Sequence, residues 1–294
     1  MKAVVALGGN AFLKRGEKEY IDIERRNIES AIDRLSEFIA NNNVVITHGN
    51  GPQVGDELLR NLISNSYVPS LNIALMIAET QGYIGSIIVS SLARHSIKAS
   101  CVITHVITSN EYQMKPIGPY LSDNDLNRLG IDLSSYSIKE FSKGYRILVR
   151  SPYPLKIVEI DAIKSLMSKG VTPIACGGGG VPLDDNLNYL NGVIDKDLSS
   201  YILAKEIDAD SLFILTDIDY LYKDYPECKQ PIKEIDSADA TSMLDSLEEG
   251  SIRPKLEAAI RFVEATNKEA YIGDLYRFND IIARRSGTRV YKKR

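Results

Sequence analysis

The chain has 294 residues, 44% of them hydrophobic and 25% charged, the composition of a globular protein with room for one large α/β domain. A net charge of -4 gives no reason to expect a nucleic acid or other polyanion as partner, so the lysines have to be weighed one by one. Three cysteines, Cys101, Cys176 and Cys228, form no CxxC pair and no metal-ligand spacing, which argues against a disulfide framework or a zinc site and for a reducing cytoplasm.

From the N-terminus, Val4-Val5-Ala6-Leu7 reads as a buried strand, too short for the apolar region of a signal peptide. A helix follows, with Ile28, Ala31, Ile32, Leu35, Phe38 and Ile39 at helical spacing. Val44-Val45-Ile46-Thr47 is the second buried strand. Further strands are predicted at 100–104, 146–149, 171–175, 211–216 and 270–272, and helices near 54–65, 72–95, 159–169, 197–206 and 254–265. Short continuous apolar strands separated by helices predict a parallel sheet covered on both faces. No run reaches the ~20 apolar residues that span a bilayer, so no membrane segment is expected. The stretch 110–150, rich in Tyr, Ser, Asn, Pro and Gly, breaks the rhythm and predicts an irregular excursion or lid. A second half is expected to begin near Pro152, and 224–231 reads as a loop. The basic tail Tyr291-Lys292-Lys293-Arg294 reads as a solvated end.

Three of the predicted strands run into glycine: Gly8-Gly9-Asn10, Gly49-Asn50-Gly51 and Gly177-Gly178-Gly179-Gly180. At the carboxyl ends of parallel strands such turns let backbone N–H groups approach an anion, and a following helix adds its positive end. One such turn can be only a tight connection; three in one chain point to phosphate. There is no GxxxxGK[ST], so a P-loop is excluded. Gly49 to Gly55 is only loosely like a dinucleotide turn, and no acidic residue follows at the ribose spacing.

Lys196, in Ile194-Asp195-Lys196-Asp197, and Lys255, after Ser251 and Pro254, each fall in a predicted first helical turn. A lysine there opposes the helix dipole by roughly 0.3–1 kcal/mol. A solvated side chain tolerates that, yet two such lysines beside three anion-ready turns fit phosphate ligands, with Asp197 and Asp195 orienting them, holding a metal, or merely capping. Lys115, between Met114 and Pro116, is expected on a proline-stiffened loop able to swing over a bound anion. His48 is expected to tune the second turn rather than to do chemistry; His95 and His105 have no motif around them.

Together, Ala6-Leu7-Gly8-Gly9-Asn10-Ala11, Thr47-His48-Gly49-Asn50-Gly51-Pro52-Gln53-Val54-Gly55, Glu79-Thr80-Gln81-Gly82-Tyr83-Ile84-Gly85, Lys115-Pro116-Ile117-Gly118-Pro119, Cys176-Gly177-Gly178-Gly179-Gly180-Val181-Pro182, Val193-Ile194-Asp195-Lys196-Asp197 and Pro254-Lys255-Leu256-Glu257-Ala258-Ala259 resemble the carbamate kinases, a branch of the amino acid kinase family. The resemblance spans nearly the whole chain. It implies a three-layer α/β/α sandwich with a mainly parallel central sheet, a small protruding subdomain at about 110–150, and a homodimer. An N-terminal lobe, 1–151, would bind carbamate or carbamoyl phosphate, and a C-terminal lobe, 152–294, ATP or ADP with Mg²⁺. By the same resemblance, Gly8, Gly9 and Asn10 would line the transferring phosphoryl group. Gly49, Asn50 and Gly51 would face the acceptor, and Gly177, Gly178 and Gly179 belong to the phosphate-binding set. Lys115 would close over the substrate, and Lys196 and Lys255 would neutralise the phosphates under the control of Asp197. Thr216, Asp217, Asp219 and Tyr222 fall in the segment that resembles the adenine side. Arg253 and Arg150-Ser151-Pro152 depart from the family pattern, as does the shorter excursion. Arg253 would reach a phosphate or point to solvent. The rival readings are a kinase of the same fold acting on another carboxylate, phosphonate or phosphate monoester, and a non-catalytic nucleotide-binding protein.

Overall fold

The structure is a computed structural model that describes residues 1–12, 20–129, 137–223, 230–247 and 252–293, with the side chains of Asn10 and Ser246 left aside. In chain order its elements begin with β1 (Lys2–Leu7), α1 (Ile21–Asn41), β2 (Asn43–His48), α2 (Gly51–Ser64), α3 (Ile73–Arg94) and β3 (Ala99–Cys101). They continue through β4 (His105–Leu121), α4 (Asp123–Arg128), β5 (Ile138–Phe141), β6 (Gly144–Ile157), α5 (Ile160–Ser168), β7 (Thr172–Ile174) and β8 (Val181–Leu183). The last are α6 (Lys196–Glu206), β9 (Ser211–Thr216), β10 (Leu221–Lys223), β11 (Gln230–Ile232), β12 (Glu234–Asp236), α7 (Ser237–Ser246), α8 (Ile252–Thr266), β13 (Glu269–Asp274), α9 (Phe278–Ile282) and β14 (Thr288–Tyr291).

Eight strands form the central sheet in the order β12-β14-β13-β9-β1-β2-β7-β3. The six from β13 to β3 run parallel, and β14 and β12 run against them. Continuous apolar strands demand cover on both faces, and the alternation of side chains supplies two cores. Val4 of β1 points into the core with Leu203 of α6 and Phe262 of α8, whereas Ala3, Val5 and Leu7 point into the core with Ile28 and Leu35 of α1 and Ile88 of α3. All six apolar positions read from the spacing of α1 are buried. The result is the expected three-layer sandwich.

The excursion is not irregular. β4 and β6 pair as a long antiparallel ribbon, extended by β5 on one side and by β8, parallel to β4, on the other. Prolines hide this from a propensity reading, because strands holding Pro116, Pro152 and Pro154 look like loops. Register shifts between Thr108 and Tyr112 absorb the irregularity. Lys115 therefore sits on a strand, not on a swinging loop. A third core, with Val54 and Leu58 of α2, Ile77 of α3, Ile117 of β4 and Ile147 and Val149 of β6, fixes the ribbon to the body.

The most apolar helix is α3. Its mean hydropathy reaches 1.4 over an 18-residue window, long and apolar enough on average to cross a membrane, although Glu79, Thr80 and Gln81 interrupt its apolar run. It is a core helix: Ala74, Ile77, Ile84, Ile88 and Leu92 are buried in the protein together with the polar Thr80 and Gln81. Cys176 is fully buried, as expected, but Cys101 only partly so; Cys228 and most of the 224–231 loop lie outside the described residues.

Candidate functional site

Neighbouring strands β9, β1, β2 and β7 end on the same edge of the sheet, and the three glycine turns meet there. The Gly8 amide donates to the Leu215 carbonyl at 2.9 Å, joining the first turn to the end of β9, and the Gly49 amide donates to Leu7 O at 3.1 Å, joining the second turn to the first. The third turn is the most confined. Gly178 has φ +62°, and a Cβ there would lie 2.1 Å from Asn50 Nδ2, so both conformation and space require glycine. Asn50 in turn donates from Nδ2 to Thr80 Oγ1 at 2.8 Å, and Thr80 donates to Ile77 O at 2.9 Å. Gln81 clasps Thr104 by accepting its amide at 2.9 Å and donating to its carbonyl at 3.2 Å. Thr80 and Gln81 are thus the scaffold of two turns, and their signal in the sequence is polarity on the buried face of an apolar helix.

His48, at the end of β2, is buried, and its Nδ1 donates to Gly49 O at 2.9 Å. Burial pushes its pKa down to about 4, so the ring is neutral, as its expected role in shaping the turn requires. Nε2 has no hydrogen-bond partner among the described residues.

Asp195 caps α6 by accepting the Asp197 amide at 2.9 Å. That start places Lys196 and Asp197 in the first turn, only 9% and 3% exposed. Lys196 Nζ lies 2.6 Å from Asp197 Oδ1, and Lys255, from the first turn of α8, reaches Asp197 Oδ2 at 3.0 Å. One carboxylate thus holds both lysines that the sequence singled out. The Lys196 contact is a charge pairing without hydrogen-bond angles, so its buried ammonium has no hydrogen-bond partner among the described residues. Burial, together with repulsion from Lys255, lowers the Lys196 pKa. For Lys255, burial acts in the same direction, but Asp197 more than offsets it and the pKa is raised. Burial also works against the Asp197 charge, yet the two lysines hold the carboxyl well below the usual range. A buried cation with open donors, at the N-terminus of an eleven-residue helix and beside three glycine turns, is a site built for an anion.

Lys115 crosses from the ribbon to Asp195 Oδ2 at 2.8 Å, joining the same cluster. Thr216 ends β9 next to Leu215, the acceptor for Gly8, and its hydroxyl meets Asp217 Oδ1 at 3.3 Å. Asp217 is exposed and adds to the field on Lys255. Asp219 is committed locally: its Oδ1 accepts from Tyr222 at 2.5 Å and from the Tyr220 amide at 3.1 Å, and its carbonyl accepts from Gly287. Arg253 is half-buried and engages backbone carbonyls. Its Nη1 donates to Leu244 O at 2.7 Å and Leu247 O at 2.9 Å, closing the end of α7. Ser251, just before α8, lies outside the described residues, as does the Asn10 side chain.

The fold and this cluster define a small-molecule phosphotransferase, and the comparisons with known proteins agree: a model of the amino acid kinase family matches residues 1–274, and the chain belongs to that family. Within it, the similarity runs to the carbamate kinases. The carbamate kinase of Haemophilus influenzae is 37% identical, with 100% of this chain and 97% of the relative covered. That of Thermoplasma acidophilum is 36% identical, with 98% of each covered. Among solved structures, carbamate kinase from Giardia lamblia bound to AMP-PNP superposes with a TM-score of 0.90 at 32% identity, over 99% of this chain and 98% of that one.

Proposed function

We propose that this chain is a carbamate kinase and that the lysine–aspartate cluster described above is where it transfers the phosphoryl group. The observation that carries the assignment of the site is the buried Lys196 ammonium, tied to Asp197 yet without a hydrogen-bonded partner among the described residues. In the ATP-forming direction a β-phosphate oxygen of ADP attacks the phosphorus of carbamoyl phosphate. The bond from phosphorus to the carbamate oxygen breaks, and carbamate leaves with the electron pair. Carbamate is already anionic, so neither direction needs a general base, which agrees with a buried, neutral His48. The work left to the protein is positioning and charge neutralisation. Lys196 and Lys255 neutralise the transferred and β-phosphates, Asp197 holds both ammoniums in place, and Lys115 reaches in from the ribbon. The turn Gly8, Gly9 and Asn10 lines the phosphoryl group and the turn Gly49, Asn50 and Gly51 the acceptor, the Gly8 and Gly49 amides being committed to Leu215 O and Leu7 O. Gly177, Gly178 and Gly179 close the third side.

In this reading residues 1–151 serve carbamate or carbamoyl phosphate, and 152–294 serve the nucleotide, with Thr216, Asp217, Asp219 and Tyr222 on its adenine side. Mg²⁺ would come with the nucleotide as part of the substrate and would supply charge neutralisation on its phosphates. The carboxylates nearest the lysines offer it little: both Asp197 oxygens face lysines, and Asp195 is shared between Lys115 and the Asp197 amide. Ile63, Tyr67 and Val68, at the end of α2 and just beyond it, form an exposed apolar group that fits the face of a homodimer.

The test is ATP formation from ADP, Mg²⁺ and carbamoyl phosphate, run beside a panel of acetyl phosphate, acidic amino acids with ATP, and phosphate monoesters with ATP. Rapid synthesis confined to carbamoyl phosphate is expected. Preference for another acceptor would move the assignment to another kinase of this fold, and nucleotide binding without any transfer would make the chain a non-catalytic binder.

A further inference from the structure

Besides the apolar core it shares with α2 and α3, the ribbon meets the body at close backbone contacts and at a charged one. Gly118 of β4 packs on Gly55 of α2 so closely that a Cβ on Gly55 would lie 2.2 Å from Gly118 Cα. Midway along β6, the Arg150 carbonyl accepts the Val193 amide at 2.8 Å, just before α6. The charged contact is Lys115 to Asp195, and it spans 80 residues of chain. We propose that Asp195 is a positioning residue that holds Lys115, and with it the middle of the ribbon, over the phosphoryl site before substrate arrives; the idea rests on the carbamate kinase reading of that site.

The geometry separates two tasks on one carboxylate. Oδ1 accepts the Asp197 amide and caps α6, while Oδ2 takes the Lys115 ammonium. An ammonium has three N–H donors, and Asp195 occupies one, leaving the others for an anion. The Lys115 side chain is 41% exposed, and that of Asp195 14%, so the carboxylate is the fixed partner and the lysine the one that can still be reached. A long flexible lysine held this way meets substrate with its side-chain freedom already spent. That lowers the entropy lost on binding carbamoyl phosphate, and leaves nucleotide binding to Lys255 and its surroundings.

Asp195→Asn separates the tasks, because asparagine also caps helices well but carries no charge for Lys115. The experiment compares wild type, Asp195→Asn, Lys115→Ala and the double variant by steady-state kinetics in the ATP-forming direction. ADP affinity is measured alongside by calorimetry, and hydrogen exchange of 113–117 is followed without substrate. Asp195→Asn is expected to raise KM for carbamoyl phosphate about tenfold while changing ADP affinity less than about twofold. Its amides at 113–117 should exchange faster, and the double variant should be no worse than Lys115→Ala alone. Losses that multiply in the double variant, or unchanged exchange in Asp195→Asn, would overturn the proposal. Because exchange is read without catalysis, it tests the contact even if wild type forms no ATP, an outcome that would count only against the carbamate kinase reading.

Discussion

A lysine as buried as Lys196 keeps its charge only beside a carboxylate, and Asp197 serves Lys196 and Lys255 at once. Removing either ammonium takes away charge stabilisation that water cannot replace in a buried site. Lys196→Ala and Lys255→Ala are each expected to lower kcat by about 10²–10³-fold. Steady-state ATP synthesis checks this, and turnover within a few-fold of wild type would show that phosphoryl transfer occurs elsewhere. His48 makes a different prediction. Its pKa is about 4 in the fold against 6.5 in the unfolded chain. Above pH 6.5 the ring is neutral in both states and adds no pH dependence. As pH falls from 6.5 towards 4, the unfolded chain gains a proton that the folded chain does not, so stability falls, by at most roughly 3 kcal/mol from this group. Urea melts at pH 7 and 4.5 should show a smaller drop for His48→Gln than for wild type; equal drops would mean that the ring is not held neutral. These residues were legible in the sequence because each violates a local rule, a lysine in a first helical turn or a histidine at a strand end. Thr80 and Gln81 stand out only as polar residues in an apolar helix and as part of the resemblance, and their role was not legible, since their partners Asn50 and Thr104 are 30 and 23 residues away.

At the scale of elements, periodicity located the strands and helices of the sandwich well. The predicted strand at 211–216 coincides with β9, and predicted helices 72–95 and 197–206 are α3 and α6 to within a residue at each end. It failed on the ribbon, where four prolines and a shifting register mask two strands that pair over most of their length. The glycine run Gly49–Gly55 likewise ends for a reason that no turn statistic contains: Gly55 clears space for Gly118 on another element. Gly55→Ala must push one backbone from another, which costs about 1–3 kcal/mol of stability. Because the displaced element carries Lys115, KM for carbamoyl phosphate should rise, while ADP affinity holds. Denaturant melts and kinetics together check this; a rise in the KM for ADP instead would place the ribbon on the nucleotide side. Arg253 teaches the same lesson in reverse. It sits two residues before Lys255, yet it serves the carbonyls of α7.

For the whole molecule, the exposed Ile63, Tyr67 and Val68 are the place to test association, Tyr67 being 89% exposed. Light scattering is expected to show a dimer that Tyr67→Glu converts to monomer with an unchanged circular dichroism spectrum, and a monomeric wild type would refute it. The sequence by itself determined the layered parallel sheet, the glycine turns at strand ends and the lysines and aspartate of the site. Those features are written in local periodicity, in residue type at a helix start, and in a family pattern spread along nearly the whole chain. Only the tertiary structure decided that one aspartate holds two lysines 59 residues apart in number, that Lys115 is carried by a strand and held by Asp195, and that Arg253 donates to the carbonyls at the end of α7. Each of these is a contact between elements distant in the chain, chosen by how the cores pack, and no local rule encodes that choice.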